Sequence, residues 1–162
     1  MNNRSPWGHV SALIIWLILS VAIYLYFDAR QQPTIAVASA QLASGEIEIP
    51  RSSDGHYYVH GAINGHAVNF MVDTGASTVS ISRTLARNVA LPAGTPVSLM
   101  TASGEVTGAL IAGQTIEAGG IVVEGLSVAV GIQGDMALLG QNFLRRVDML
   151  QSDDRMVLRV KK

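Results

Sequence analysis

An aspartate ends the apolar run Met71-Val72-Asp73 and is followed by Thr74, Gly75, Ala76, Ser77 and Thr78. A carboxylate normally sits where water solvates it, so one at the tip of a hydrophobic stretch suggests a use for its charge. The chemistry open to it is general acid–base catalysis, taking a proton from a water or giving one to a leaving group. One carboxylate cannot hold both roles at once. Two brought side by side share a single proton, because the second ionisation sets like charges together. Asp-Thr-Gly-Ala-Ser occurs once in the 162 residues, so a second such carboxylate has to come from a second copy across a two-fold axis. Gly75 then lets the backbone turn sharply and approach its partner. Thr74 is positioned to bond across the axis, and Ser77 to hold the carboxylate. The competing reading is a strand that simply ends in a surface turn, since Asp and Gly favour turns anyway.

The element that must deliver Asp73 is legible. Two strand-like runs, HYYVHGAI and HAVNFMV, flank Asn64-Gly65. Asn-Gly suits a type I′ hairpin turn because both central residues need φ > 0. That turn sets Ile63 opposite His66 and fixes the register. One face then carries Tyr57, Val59, Gly61, Ile63, His66, Val68, Phe70 and Val72, plainly the core side. The other carries His56, Tyr58, His60, Ala62, Ala67, Asn69, Met71 and, one step on, Asp73. The same register places His66 on the opposite face from His56 and His60, so the three histidines do not form a metal site; no metal is expected.

Downstream, short strand-like segments alternate with turn signals. Thr78-Val79-Ser80-Ile81 reads as a strand, and Ser82 to Asn88 as a capped short helix ended at Leu91-Pro92. Thr95 to Thr101 and Val106 to Ile111 make a second hairpin with the small tip Ala102-Ser103-Gly104-Glu105. Gln114 to Glu117, Gly120 to Val123 and Leu126 to Val130 read as three strands broken by glycines. Met136 to Gly140 is an apolar strand after the loop Gln133-Gly134-Asp135. Gln141 to Val147 reads as a short helix, and Asp148 to Leu150 with Met156 to Val160 as a terminal hairpin. This is the pattern of a compact all-β barrel with one or two short helices. Asp54, Asp135, Asp148, Asp153 and Asp154 fall in turns or at element ends and are expected to be solvated.

Before this domain lies Val10 to Phe27, a run with no charged residue. As a helix it spans ~27 Å, close to the hydrocarbon thickness of a bilayer. Trp7 and Tyr24/Tyr26 stand near its ends, where amphipathic rings favour the interface. A cleaved signal peptide would have a shorter apolar core with a small-x-small site close behind it; the nearest such pattern, Ala38-Ser39-Ala40, lies well beyond. The expected organisation is a short segment 1–9, a transmembrane helix 10–27, a spacer 28–44 rich in Ala, Ser and Gln, and a folded domain 45–162. The expected topology is a single pass through the cell (inner) membrane, with the N-terminus inside and the domain periplasmic. A formal net charge of −1 gives no footprint for nucleic acid. The absence of cysteine excludes disulfides, thiol catalysis and cysteine-ligated metals.

Three pieces occur in a fixed order: the Asp-Thr-Gly turn, the small-tipped hairpin, and Leu138-Leu139-Gly140 ahead of a short helix. In this order they resemble the retropepsin-like aspartic proteases, in particular the small membrane-anchored bacterial type. The resemblance covers most of 56–150 and implies a closed β barrel and an aspartic endopeptidase that acts as a homodimer on peptide or protein substrates without a cofactor. It implies Asp73 as the catalytic residue, supported by Thr74, Gly75, Ala76 and Ser77. Leu138, Leu139 and Gly140 would pack behind it, and Thr101, Ala102, Ser103 and Gly104 would form a substrate-binding flap. The alternative function is a non-catalytic peptide-binding or structural domain on the same fold.

Overall fold

A computed structural model describes residues 7–30, 45–101 and 104–161. Most of the spacer and the flap-tip residues Ala102 and Ser103 lie outside them. The chain divides into two compact units, Met1–Pro33 and Thr34–Lys162. The first contains helix α1, Trp7–Arg30. Its stretch Val10–Asp28 is long and apolar enough to cross a membrane. Large apolar side chains such as Leu13, Trp16 and Tyr24 are exposed around it, as in a membrane span or a signal sequence.

The second unit is built from strands. In chain order it contains β1 (Glu46–Pro50), β2 (Tyr58–Ile63), β3 (His66–Val72), β4 (Val79–Ser82), helix α2 (Arg83–Asn88), β5 (Thr95–Thr101), β6 (Gly104–Ala118), β7 (Ile121–Ile132), β8 (Ala137–Leu139), helix α3 (Gln141–Leu144), β9 (Val147–Gln151) and β10 (Arg155–Val160). Strands β2-β3-β8-β4-β7-β6 follow one another, and a further β2–β6 pairing closes them into a barrel, with β5 hanging from β6 as an outer strand. A separate sheet has the order β1-β10-β9.

The β2–β3 hairpin has Ile63 opposite His66 and Val59 opposite Phe70, with Asn64 at φ 50° and Gly65 at φ 82°. Val59, Ile63 and Phe70 are fully buried with Ile81, Ile116, Val128, Leu139 and Phe143. Burying each such side chain contributes about 1.5–3 kcal/mol. The opposite face is less open than its sequence suggests, since Tyr58 and Ala62 are also buried.

The region after residue 111 differs from three glycine-broken strands. β6 and β7 run on as long paired strands whose register shifts between Ile111 and Gln114 and again between Gln114 and Ile116. Gly113 and Gly125 sit at these shifts with positive φ. They are bulges, where one extra residue bends a strand without ending it. Helix α2 starts where expected, with the Ser82 hydroxyl accepting from Leu85 N–H. It ends at Val89 and Ala90, ahead of Pro92.

Candidate active site

β3 carries Asp73 into the site, and β8 fixes where it arrives. The two strands run parallel, with Met71 opposite Leu138 and Val72 opposite Leu139. Asp73 N–H extends the ladder to the Leu139 carbonyl at 3.2 Å. The chain then turns: Ala76 N–H donates to the Asp73 carbonyl at 3.3 Å, and Gly75 N–H donates to Asp73 Oδ1 at 2.8 Å. The aspartate thus folds its own loop around its carboxylate, as Asp does in tight turns. The Ser77 side chain was expected to hold the carboxylate. Among the described residues the hydrogen bond to it comes from the Gly75 backbone, because the turn brings that N–H nearest.

The start of α3 secures the same loop from beneath. Gln141 N–H donates to the Ala76 carbonyl at 2.8 Å and Asn142 N–H to the Ser77 carbonyl at 3.2 Å. Gln141 Nε2 reaches the Thr74 carbonyl at 2.9 Å. Asn142 Oδ1 accepts from Val79 N–H at 2.9 Å, and its Nδ2 donates to the Ser127 carbonyl at 2.7 Å. These two side chains join three segments, and sequence reasoning gave them no role. The available signal was a polar pair at a helix start, directly before the buried Phe143-Leu144. Gly140 explains the close fit: a Cβ there would collide with the Thr78 carbonyl and lie 2.9 Å from that of Ala76. Only a residue without a side chain allows this approach.

Leu138 and Leu139 face opposite ways, as strand neighbours must. Leu139 is fully buried in the barrel, whereas Leu138 is half-buried. It lines a cleft of ≈ 500 Å³ together with Asp73, Gly75, Ala76, Ser77 and, from the facing hairpin, Ser98 to Thr101. A second cavity of ≈ 420 Å³ shares Thr101, Ile132 and Leu138 and adds Met71, Val106, Met136 and Asp135. Its lining is largely apolar. The structure therefore brings Asp73, Gly75, Ala76, Ser77, Leu138 and Thr101 to one cleft, with Leu139 and Gly140 behind the loop. Thr74 is exposed.

The hairpin opposite, β5–β6, is the segment in which a flap was expected. Thr101 pairs with Gly104, and its Oγ1 donates to the Gly104 carbonyl at 2.7 Å. Ser98 donates to Glu105 across the two strands. At its base Arg83 Nη2 donates to the Thr107 carbonyl at 2.6 Å. Met100 is 82% exposed.

The histidines do other things. His60 Nδ1 lies 2.6 Å from Asn69 Oδ1, and His56 Nδ1 lies 3.4 Å from Asp54 Oδ2. Among the described residues no three His, Asp or Glu are placed to hold a metal ion. Asp54 corrects the expectation of a merely solvated carboxylate. It accepts from Tyr58 Oη at 2.6 Å and from His56 N–H at 3.0 Å. Desolvation opposes its ionisation, but these bonds and one from Ser52 outweigh it and hold its pKa down at about 2. Desolvation and the same bond push Tyr58 up to about 12.

Residues 59–146 match the family described as "gag-polyprotein putative aspartyl protease". The matched segment contains the Asp73 loop, the β5–β6 hairpin, β8 and α3. The chain belongs to the retropepsin-like aspartic protease family. A crystal structure of a retropepsin-like aspartic protease from Rickettsia conorii is similar to it at a TM-score of 0.62 and 30% identity, covering 70% of this chain and 89% of that one. An uncharacterized protein encoded in the cobV 5′ region of a Sinorhizobium species is 32% identical over 171 residues, 93% of this chain and 73% of that protein. An uncharacterized protein of Rickettsia prowazekii (strain Madrid E) is 30% identical over 160 residues, 90% of this chain and 69% of that protein. As a retropepsin-like domain, the barrel supplies one Asp-Thr-Gly loop per chain.

Proposed function

We propose that this protein is a membrane-anchored aspartic endopeptidase, active as a homodimer in which two Asp73 carboxylates face each other across a two-fold axis. The observation that carries this reading is the Asp73 loop itself. It is fastened by β8 and α3 and opens on a cleft whose other wall is the β5–β6 hairpin. An ionised Asp73 takes a proton from a bound water as the water oxygen attacks the scissile carbonyl carbon. The partner subunit's Asp73, protonated, gives its proton to the carbonyl oxygen. As that tetrahedral diol collapses, Asp73 gives the proton it took from water to the amide nitrogen, a diol hydroxyl returns its proton to the partner subunit's Asp73, and the C–N bond breaks. Thr74 ties the two loops across the axis, and the flap from Thr101 to Gly104 closes over an extended peptide. The apolar cavity beside Leu138 suits an apolar substrate side chain next to the scissile bond.

In this reading α1 is a single-pass anchor with its N-terminus inside and the domain, residues 45–162, in the periplasm at the end of the spacer 28–44. Confinement to one membrane raises the effective concentration of the two protomers. The test is cleavage of a denatured protein and a peptide library across pH by the full-length protein in detergent micelles, wild type against Asp73→Asn. The variant is expected to lose about 10³- to 10⁴-fold in rate while keeping its circular dichroism spectrum. Wild-type protein without any cleavage that Asp73→Asn removes would sink the reading.

A further inference from the structure

We infer that Asp135 sets a charge preference for substrates: at the mouth of the apolar cavity beside the Asp73 cleft, its carboxylate takes the cationic end of a lysine or arginine side chain of the peptide. This deepens the protease reading and rests on it, because that reading supplies the peptide.

Asp135 belongs to the loop between β7 and β8, which turns at Gly134 with φ 99°. Two residues on, β8 begins, and its register against β3 sets Leu138 opposite Met71. The loop therefore arrives with β8 at the wall of the site. Met71, Met136 and Leu138, with Thr101 and Val106 of the facing hairpin, line the cavity of ≈ 420 Å³, and among the described residues Asp135 is the one charge in that lining. The Asp73 cleft shares Thr101, Ile132 and Leu138 with this cavity. A side chain placed in it thus belongs to a residue close to the bond to be cut. Asp135 also lines an open groove of ≈ 630 Å³ on the outside, together with Arg83 and Thr84. It stands where the apolar cavity gives way to water.

Its carboxylate is exposed, and among the described residues no hydrogen bond or ion pair reaches it. Arg83, the cation of the outer groove, instead donates to the Thr107 carbonyl. Asp54 and Asp148, by contrast, are held by Tyr58 and Arg159. Lysine and arginine lay a methylene stem along apolar surface and carry their charge at the tip, which matches apolar walls with a carboxylate at the mouth. Leucine or methionine fills the same walls and leaves Asp135 unpaired, and glutamate sets like charges together. An ionised Asp73 in the adjoining cleft biases the choice the same way. Such a pair is weak in open water and gains strength as a closing flap excludes it.

The test is a positional scan on the library peptide that is cut fastest by the full-length protein in micelles or, in the Asp73→Asn variant, bound most tightly. Each residue is replaced in turn by lysine, by Nε-acetyl-lysine, which keeps most of the stem without the charge, and by glutamate. At one position at least, kcat/KM for lysine is expected to exceed that for acetyl-lysine about fivefold, with glutamate lowest. Asp135→Asn is expected to level lysine with acetyl-lysine, Asp135→Glu to keep the order, and Asp135→Lys to invert it so that glutamate leads. A merely structural role for the loop would not invert it. The same labelled peptides, ranked by fluorescence anisotropy on Asp73→Asn with and without Asp135→Asn, report the preference without cleavage. Asp73-dependent cleavage with no lysine preference at any position, or with one that Asp135→Asn leaves in place, overturns the proposal while the protease reading stands. A lysine preference in binding that Asp135→Asn removes, without any Asp73-dependent cleavage, upholds the role of Asp135 and sinks the protease reading. If no peptide is cut or bound, both fall.

Discussion

Between Asp73 and Val79, five hydrogen bonds tie the loop to Leu139, Gln141 and Asn142. Across the cleft, β5 has no buried residue along its length and, among the described residues, pairs only with β6; Arg83 adds one bond to the hairpin at Thr107. One wall is fixed from behind, and the other is an exposed ribbon. The difference suits the two tasks that the proposed function gives these walls. A carboxylate that shares a proton with its twin has to be held within a fraction of an ångström. A flap has to open for the substrate and close over it, which draws on the least stable part of a fold.

The sharpest way to break the comparison is Gly140→Ala. The new methyl meets two backbone carbonyls that cannot swing aside. The expected loss is about 3 kcal/mol of stability, with Asp73-dependent cleavage falling alongside; thermal melts and rates measure both. A fully stable, active variant would show that the fixed wall tolerates movement. Asn142→Ala comes next. It removes the acceptor for Val79 N–H, a donor inside the barrel. The expected cost is about 1–3 kcal/mol in chemical denaturation, with kcat reduced more than KM is raised. On the flap side, Arg83→Gln loses the bond to the Thr107 carbonyl. Because that bond is exposed, the expected effect is about 1 kcal/mol, roughly a fivefold fall in kcat/KM carried mostly by KM, with little change in melting temperature. If Arg83→Gln costs more stability than Asn142→Ala, the contrast between the walls is wrong.

The smallest effect tests the hairpin that carries β3. Asp54 titrates at about 2, below its ordinary 3.8. Its contribution to stability is complete above about pH 4 and is lost as pH falls towards 2. Tyr58, raised to about 12, contributes below pH 10 and loses this as pH rises through 12. Tyr58→Phe removes the shared bond, so its melting temperature should fall less than that of wild type between pH 4 and 2. An unchanged acid slope would remove Asp54 from this role.

Much of the fold was legible because the signals were local. Asn64-Gly65 fixed the register of a hairpin, and that register put Asp73 off the core face. Ser82 capped α2 in the expected way. The glycines near 113 and 125 misled because a glycine that ends a strand and one that bulges it look alike in sequence. They differ only in whether a neighbouring strand continues past them, as β7 does past β6. Asp54 misled for a similar reason. Its partner Tyr58 is close in the chain, but only the backbone turn between them brings the hydroxyl to the carboxylate.

The sequence alone determined the barrel class, the apolar N-terminal helix, the strand that ends at Asp73 and the single copy of the Asp-Thr-Gly loop. Each follows from periodicity, composition or turn chemistry within a few neighbouring residues. Only the tertiary structure decided that Gln141 and Asn142 hold that loop, that Leu138 faces the cleft while Leu139 faces the core, and that β10 lies between β1 and β9. These depend on the parallel pairing of β3 with β8 and on the order β1-β10-β9. Such contacts join residues far apart in the chain, and no local preference specifies which distant partner a strand will find.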